Sequence, residues 1–469
     1  MPQIYISQHT NVIPSSRGTA ILFHSVSGHI DEVELALGEA LLRQENTVFC
    51  PQNPCDAYQW DYLEQRGYIT QLPPEEELTE FRGYVETLHL EQQKTLRGAI
   101  SLLPSYLCNL SCPYCFQNDI SNKVEISGRS VMSTELVDLI FDKTIPLLFP
   151  SGKNPSTVSL FGGEPLLPAT KTTVKRILER AGDIGATTGV VTNGTYVDQF
   201  VESFGTQPGE ISVAHITIDG PAPLHNISRC TRGGDPTFEK IIGNTQILLD
   251  LGVQVVLTYN ATSETAPYYK NIKTMLLEEG FLEKDNFKLN AKRVDYVPGK
   301  GLDKEYSDFN LLNDIAELGG SENLETFPEL KQIESLFSPL PKHISKKTAY
   351  CTMVQGNNLW IDSFMDIYSC PVHTGQPEKR IGKIDKNGLP VFNQLREACQ
   401  ARTIVNIDQC KSCSISLLCG GGCAVKAEKK NGTIFTAYCN SIKEILYKQI
   451  SALHMKYCSP NQYYNNFIG

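Results

Sequence analysis

Cys108, Cys112 and Cys115 lie in the run SLLPSYLCNLSCPYCFQN, three residues and then two separating them. Three thiolates in so short a loop can hold three irons of a 4Fe-4S cube and leave the fourth iron without a protein ligand. Such an iron is a place for a cofactor to bind. Structural zinc is the competing use of clustered cysteines, but zinc completes four ligands from paired Cys or Cys/His sets. No fourth Cys or His lies near this run.

Further along, Gly162-Gly163-Glu164-Pro165 combines two residues that allow close backbone approach with a carboxylate able to accept from an ammonium. Alone it could be a strand-to-helix turn. The run VVTNGT ends in Asn193-Gly194, and HITIDGPAPLHNISR carries Thr217, Asp219, Gly220, His225 and Arg229. Each of these has a plain structural alternative, a hairpin turn for Asn-Gly and a turn or helix cap for Asp-Gly. His225 has no partner spaced for metal binding.

Nine of the fifteen cysteines lie from Cys351 onward, which implies a second cysteine-rich module. Its core is Cys410, Cys413, Cys419 and Cys423, with Cys439 after fifteen intervening residues and the pair Cys351 and Cys370 upstream. A zinc ribbon would separate its CxxC pairs more widely. Cys50, Cys55, Cys230 and Cys458 receive no role.

The elements that must position these residues show in the periodicity. Short β-rich runs at Ala99 to Leu107, Thr157 to Phe161, Gly189 to Thr192, Ala214 to Ile218, Val253 to Tyr259 and Phe287 to Ala291 alternate with helical patterns. The helices are expected at Thr134 to Leu148, Thr170 to Ala181, Thr237 to Leu251 and Tyr268 to Glu279. That alternation predicts βα units around a parallel sheet, with the cysteine loop at the carboxyl end of the first strand. Nearer the N-terminus, Ser27-Gly28 splits an apolar run into the two arms of a hairpin. Helical patterns at Asp31 to Arg43 and Ala57 to Arg66 follow, then the acidic stretch Glu75-Glu76-Glu77.

At 469 residues the chain should form two or three domains. Its 41% hydrophobic and 20% charged residues are ordinary for a globular protein. A net charge of -10 suggests no basic face and argues against nucleic acid as a partner. The N-terminus lacks a basic start with an apolar core, and no run of eighteen apolar residues occurs, so no membrane association and a cytoplasmic location are expected. Many cysteines without an export signal favour metal or redox chemistry over disulfides.

The spacing of the first three cysteines, with Tyr114 before the third, resembles the signature of the radical S-adenosylmethionine (radical SAM) superfamily. In that family the open iron chelates SAM and passes the electron that cleaves it to a 5′-deoxyadenosyl radical. The resemblance implies an α/β fold: a partial (βα)6 TIM-like barrel, a C-terminal cysteine-rich SPASM iron-sulfur domain and a small N-terminal α+β domain. Expected boundaries are 1–92, 93–340 and 341–469. It implies cofactor contacts from Tyr114, Phe116, Gly162, Gly163, Glu164, Pro165, Asn193, Thr217 and Arg229, and an S-adenosylmethionine cluster on Cys108, Cys112 and Cys115.

The C-terminal cysteines resemble the SPASM pattern, which implies two auxiliary clusters and three 4Fe-4S clusters in all. Cys351, Cys370 and Cys423 would serve the first; Cys410, Cys413, Cys419 and Cys439 the second. The fourth ligand of the first is Cys399, absent, or supplied by substrate. Met365 stands where the family has a glycine five residues before the second cysteine, so a hairpin with a different turn is expected. The N-terminal segment is similar to winged-helix elements that bind leader peptides by strand addition, an unrelated cap being the alternative.

These resemblances imply a maturase that modifies a ribosomally made precursor peptide with a leader, forming a C-C cyclophane or thioether cross-link. A flavodoxin or ferredoxin would supply the electron. Alternatives are backbone excision, epimerisation, formylglycine formation in a sulfatase, or a non-enzymatic iron-sulfur electron carrier. The sulfatase enzymes carry an acidic base directly after the second SPASM cysteine, where this chain has Pro371. Candidate bases, Asp362, Asp366, Tyr368 and His373 around Cys370 and Asp295 and Tyr296 past the sixth strand, are not separable by sequence.

Overall fold

The apolar run Ala20 to Phe23 has no polar alternation, and a strand of that kind needs cover on both faces. A computed structural model, which describes residues 3–15, 17–43, 54–117, 120, 131–149, 154–294, 306–319, 346–439 and 441–457, provides it. The chain folds into two units. The first gathers Met1–Thr95, Pro328–Val354 and Ala401–Gly469; the second gathers Leu96–Phe327 and Gln355–Gln400.

The first unit holds strands β1 (Tyr5–Ile6), β2 (Thr10–Pro14), β3 (Thr19–His24), β4 (Ile30–Glu34) and β5 (Ile69–Thr70). β1 pairs with β5, and β2, β3 and β4 form an antiparallel meander in that order. On one face of β3, Ile21 and Phe23 join Ile13 against Ile415, Leu418, Leu446 and Ile450 of the cysteine-rich segment. On the other, Ala20 and Leu22 pack with Val33, Leu41, Leu63, Tyr68 and Ile69. The N-terminal sheet is therefore an inner layer that shares its core with the loops carrying the last cysteines.

The hairpin broken at Ser27-Gly28 is present, with Phe23 opposite Ile30 and Gly28 at φ +81°. The helix expected from Asp31 begins instead at Leu35 (Leu35–Arg43), because Asp31 to Glu34 pair with β3. Asp31 is held there by Arg66 Nε at 2.7 Å and by the hydroxyls of Tyr68 at 2.6 Å and Tyr62 at 2.9 Å. A second helix spans Pro54–Gln65, and Glu75 to Glu77 form the first turn of Pro74–Thr95, where the helix dipole favours carboxylates.

The second unit is built on β6 (Ala99–Ser105), β7 (Thr157–Gly162), β8 (Thr187–Thr192), β9 (Ile211–Ile218), β10 (Gln254–Ala261) and β11 (Phe287–Arg293). These are the six expected strands, all parallel, each beside its neighbour in sequence. β6 stops at Ser105 rather than Leu107, with a register shift after Leu102, where Pro104 has no N–H to give the ladder. Beyond β6 the sheet continues through β12 (Asn358–Ile361), parallel to it, then antiparallel β13 (Asp366–Tyr368), β14 (Gly382–Ile384) and β15 (Pro390–Phe392).

The expected helices appear as Lys171–Asp183, Phe238–Asp250 and Tyr269–Glu278; the one at Thr134 to Leu148 is interrupted by a π turn at Ile140–Thr144. Their apolar stripes cover one face of the sheet, lined by Val190, Ala214, Ile216, Val255 and Leu257. The opposite face is mixed and partly open, with Val191, His215, Lys288 and Lys292 exposed and Val213 and Val256 half-buried. Among the described residues no helix is long and apolar enough to cross a membrane.

The hairpin β12–β13 keeps a left-handed turn residue although glycine is missing: Met365 adopts φ +64°. Asp362 pins that turn, its Oδ1 accepting from the N–H groups of Phe364 and Asp366, both at 2.9 Å, and its Oδ2 from Tyr106 Oη at 2.9 Å. Burial pushes the Asp362 carboxyl up to about 6. Folding therefore raises its proton affinity, so this contribution to stability is whole below about pH 4 and lost as pH rises through about 6. Asp362→Asn keeps the Oδ1 acceptor and removes the titration. Above pH 6 the variant is expected to be more stable than the parent by about 1 to 3 kcal/mol, with a flatter dependence of the urea midpoint on pH between 4 and 7; an unchanged slope would refute this.

Candidate active site

The loop after β6 is gripped from both flanks. On one side Gly163 N–H donates to Ser105 O (3.1 Å) and Glu164 N–H to Leu107 O (2.7 Å). A Cβ at Gly163 would collide with the carbonyl oxygens of Tyr106 and Leu107, so the close approach requires glycine. On the other side Leu110 bridges Thr231, Ser111 N–H donates to Cys230 O (3.3 Å) and Arg232 N–H to Asn109 O (2.9 Å). Cys230, left without a role by its spacing, thus lies in a clasp against the three-cysteine loop. That clasp is formed by backbone, which sequence patterns do not reveal.

Within the loop Cys115 N–H bonds Cys112 O at 3.1 Å, and Cys108 Sγ accepts from Leu110 N–H at 3.4 Å and Asn193 Nδ2 at 3.8 Å. Burial pushes the Cys108 thiol up to about 12, helped by Glu164 and by the other two cysteines. It pushes Cys112 to about 11, against the pull of Arg229. These thiols lie close enough to oppose one another's ionisation. Thiolates here need a cation to hold them.

Glu164 is fully buried and ties three strand ends together. Its Oε1 accepts from Leu166 N–H (2.8 Å) and Thr192 Oγ1 (2.7 Å), and its Oε2 from Asn193 N–H (2.7 Å). Burial raises its carboxyl, opposed by those bonds. Asn193 passes the restraint on through Nδ2 to Asn109 Oδ1 at 2.9 Å. Gly162 sits at φ +136° over Ser105 O, and Pro165 O accepts from Thr170 Oγ1 at 2.6 Å.

A second buried group forms at the ends of β9 and β10. Tyr114 Oη donates to Asp219 Oδ2 at 2.6 Å and accepts from Arg229 Nη1 at 2.9 Å, with Asn260 Nδ2 at 3.4 Å. Ser228 Oγ donates to Asp219 at 2.7 Å. Burial raises the Asp219 carboxyl, opposed by Arg229. His225 is a positioning residue: Nδ1 accepts from Asp219 N–H (3.2 Å), Nε2 meets Thr237 Oγ1 (3.1 Å), and Thr237 Oγ1 donates to Arg229 O (2.6 Å). Arg229 is 7% exposed, and its Nε has no hydrogen-bond partner among the described residues. A buried guanidinium with a donor to spare fits an anionic ligand.

Thr217 is half-buried on the open face of β9, beside Thr258, and Phe116 is 42% exposed at the loop's edge. Asn260 and Ser228 escaped the sequence reading; Asn260 sits at a strand end, which is the signal that would have found it.

In the first unit, Cys410 is near Cys419, Cys413 and Cys439, and burial with their influence pushes its thiol to about 12. Cys351 lies near Cys423. Arg402, 1% exposed, sits among Cys351, Cys410, Cys423 and Cys419. It donates to the carbonyls of Gly422 (2.9 Å), Gly421 (3.2 Å), Thr436 (3.0 Å) and Ile434, and makes no ion pair with a carboxylate among the described residues. A buried cation with that surrounding needs anions, which cluster thiolates are. Among the described residues no three His, Cys, Asp or Glu side chains converge as on a single ion; the fit to iron rests on the donor set and on these two arginines.

In the second unit Cys399 is buried and takes a hydrogen bond from Ser369 Oγ at 3.7 Å. Cys370, next to Ser369, is extended at φ −145° and ψ 135°. Pro371 opens a 3-10 turn through His373. Asp295, Tyr296, Cys50 and Cys458 lie outside the described residues.

Residues 102–263 match the Radical SAM superfamily. The chain carries a radical SAM enzyme domain. It is 26% identical over 374 residues to a cysteine-type anaerobic sulfatase-maturating enzyme of Clostridium novyi, covering 74% of this chain and 93% of the relative. It is 23% identical over 463 residues to the radical SAM cyclopropyl synthase TigE of Paramaledivibacter caminithermalis, covering 92% of each. The solved structure of native anSMEcpe with bound AdoMet shares the fold at a TM-score of 0.56 and 20% identity, covering 79% of this chain and 99% of that one. A radical SAM domain implies a 4Fe-4S cluster and SAM, and the three-thiol loop with the spare Arg229 donor fits both.

Glu164→Gln replaces one acceptor oxygen with a donor facing N–H or O–H groups. It is expected to lower the stability of the radical SAM domain by about 2 to 4 kcal/mol, read as an earlier urea transition with bound iron reduced; wild-type stability would show that the hub is not needed.

Proposed function

We propose that this chain is a radical SAM maturase with a SPASM-type module that forms a side-chain cross-link, a C-C cyclophane or a thioether, in a ribosomally made precursor peptide. The observation that carries the reading is the convergence, at the carboxyl ends of β6 to β10, of the three-thiol loop, the Gly162-Gly163 approach and Arg229. The six parallel strands are in keeping with a partial (βα)6 barrel. Cys108, Cys112 and Cys115 would hold the cluster, which when bound supplies the electron that cleaves SAM to a 5′-deoxyadenosyl radical.

In this proposal Arg229 Nε receives the SAM carboxylate, and the Tyr114, Asp219 and His225 group fixes the guanidinium. Glu164 has about one acceptor site left after its three bonds, enough for one N–H of the SAM ammonium. Gly162, Gly163, Pro165 and Asn193 shape that cradle, with Thr217 and the aromatic residues Tyr114 and Phe116 lining the remainder. Cys351, Cys370 and Cys423 would hold a first auxiliary cluster and Cys410, Cys413, Cys419 and Cys439 a second, with Arg402 as their shared countercharge.

The N-terminal meander leaves β2 and β4 as edges, which supports leader capture by strand addition; a flavodoxin or ferredoxin is the proposed reductant. Similarity to TigE, a radical SAM cyclopropyl synthase, over 92% of the chain supports a bond-forming synthase reading. Similarity to sulfatase-maturating enzymes supports formylglycine formation as a second reading, which Pro371 disfavours by removing the acid after Cys370.

The test is iron and sulfide on anaerobically reconstituted protein. About twelve irons are expected, falling to about eight in Cys108→Ala/Cys112→Ala/Cys115→Ala, with 5′-deoxyadenosine produced from SAM and dithionite by the parent alone. Arg402→Met is expected to keep about four irons and lose auxiliary iron. Four irons falling to none, with zinc in the C-terminal module, would overturn the SPASM assignment.

A further inference from the structure

A parallel sheet is ordinarily covered on both faces, yet in the second unit one face of β9, β10 and β11 is left partly exposed, with polar and cationic side chains around two valines. Its side chains alternate with the buried set: half-buried Val213 and Val256 lie among His215, Thr217, Thr258 and Asn260, and Lys288, Asn290 and Lys292 form the row on β11. Lys288 and Lys292 are exposed, and neither makes an ion pair among the described residues, although the neighbouring cations Lys284 and Arg293 are matched to Asp250 and Asp308. No Asp or Glu occurs on this face along the three strands, in a chain of net charge -10. An uncompensated positive strip in an acidic protein points to an anionic occupant.

The strip leads into the candidate active site. Lys292 stands opposite Asn260 in the β10–β11 register, and Asn260 reaches Tyr114 Oη. The lysines stand four positions apart on the strand, a span of about 13 Å. Two carboxylates four residues apart on an extended peptide match that span.

We propose that this face seats an acidic segment of the peptide substrate, Lys292 and Lys288 taking two of its carboxylates and so presenting the neighbouring residue to the radical site. The proposal rests on the peptide-modifying reading and names the chemistry of its substrate.

The test is fluorescence anisotropy on the full-length reconstituted protein, with fluorescein-labelled twelve-residue Gly/Ser peptides carrying two Glu four apart, no charge, or two Lys four apart. The acidic peptide is expected to bind at least tenfold more tightly than the neutral one, and to lose that advantage at high salt. Lys288→Gln/Lys292→Gln should abolish the preference, and Lys288→Glu/Lys292→Glu should reverse it toward the basic peptide. SAM cleavage without peptide and SAM affinity should stay at parental values in both variants, which also certifies their folding. Equal binding of acidic and neutral peptides, a preference that survives in the variants, or a loss of SAM affinity on substitution would each overturn the proposal. SAM cleavage by the parent tests the radical SAM reading separately, so the two can fail independently.

Discussion

A carboxylate with no access to water governs the geometry at the carboxyl ends of the strands. Glu164 has to satisfy its charge inside the protein, and the donors that do so come from its own turn and from the end of β8. Its backbone N–H meanwhile fixes Leu107, one residue before the first cluster cysteine. One buried charge thus sets the separation of three strand ends, and through Asn193 and Asn109 it sets the attitude of the cysteine loop. Burying a carboxylate is tolerable only while every one of these donors is present. The arrangement is therefore close to all-or-none, which suits a loop that must present three sulfurs in fixed positions.

The two buried arginines pose the converse problem. Arg229 shares its charge with Asp219 and Tyr114 but keeps one donor unspent, whereas Arg402 is satisfied only by carbonyl dipoles and by the sulfurs around it. Arg229 has the Asp219 carboxylate as a countercharge, whereas Arg402 has none among the described residues, and thiolates on iron, as proposed, would supply it. The same burial that raises the cysteine thiols toward 11 or 12 makes metal-free thiolates unfavourable. Cation and thiol are each unfavourable alone, and the proposed anionic cluster would relieve both. This coupling also reaches the N-terminal sheet, since Ile21 and Phe23 pack on Ile415 and Leu418 between the cysteines of the same loops.

Much of this was legible in the residues. The six strands and three of the helices appear within a few residues of their expected ends, because β-branched runs bounded by glycine and polar turns alternate with 3.6-residue patterns over a long stretch. What failed did so for tertiary reasons. Asp31 to Glu34 carry a helical pattern but are drawn into β4 by pairing with β3 and by the Arg66 and Tyr68 contacts. Spacing identified the cysteine loop but not the Cys230 clasp, which is made by N–H and C=O groups that every residue has. His225 looked idle as a metal ligand, and its use as a brace between Asp219 and Thr237 depends on a helix returning beneath the strand end. The missing glycine at Met365 changed the residue but not the left-handed turn, since Asp362 supplies the bonds that hold it.

The uncovered sheet face follows from the same constraints. A site that generates a reactive species needs its strand ends packed, and here buried polar groups hold them from the helix side and from the loops. That leaves the other face of β9 to β11 without a role in stability: its residues are mostly half-exposed, and exchanging them leaves the apolar packing of Ile216, Leu257 and Ala291 untouched. Residues without a packing duty are the ones a sequence can vary to suit a substrate. In the proposed reading Lys292 beside Asn260, and Lys288 four positions before it, would express specificity, while Glu164 and Arg229 would serve the chemistry. The packed side chains and the open ones occupy opposite sides of one set of strands, and the period of two along each strand is what would keep stability and the proposed selectivity apart.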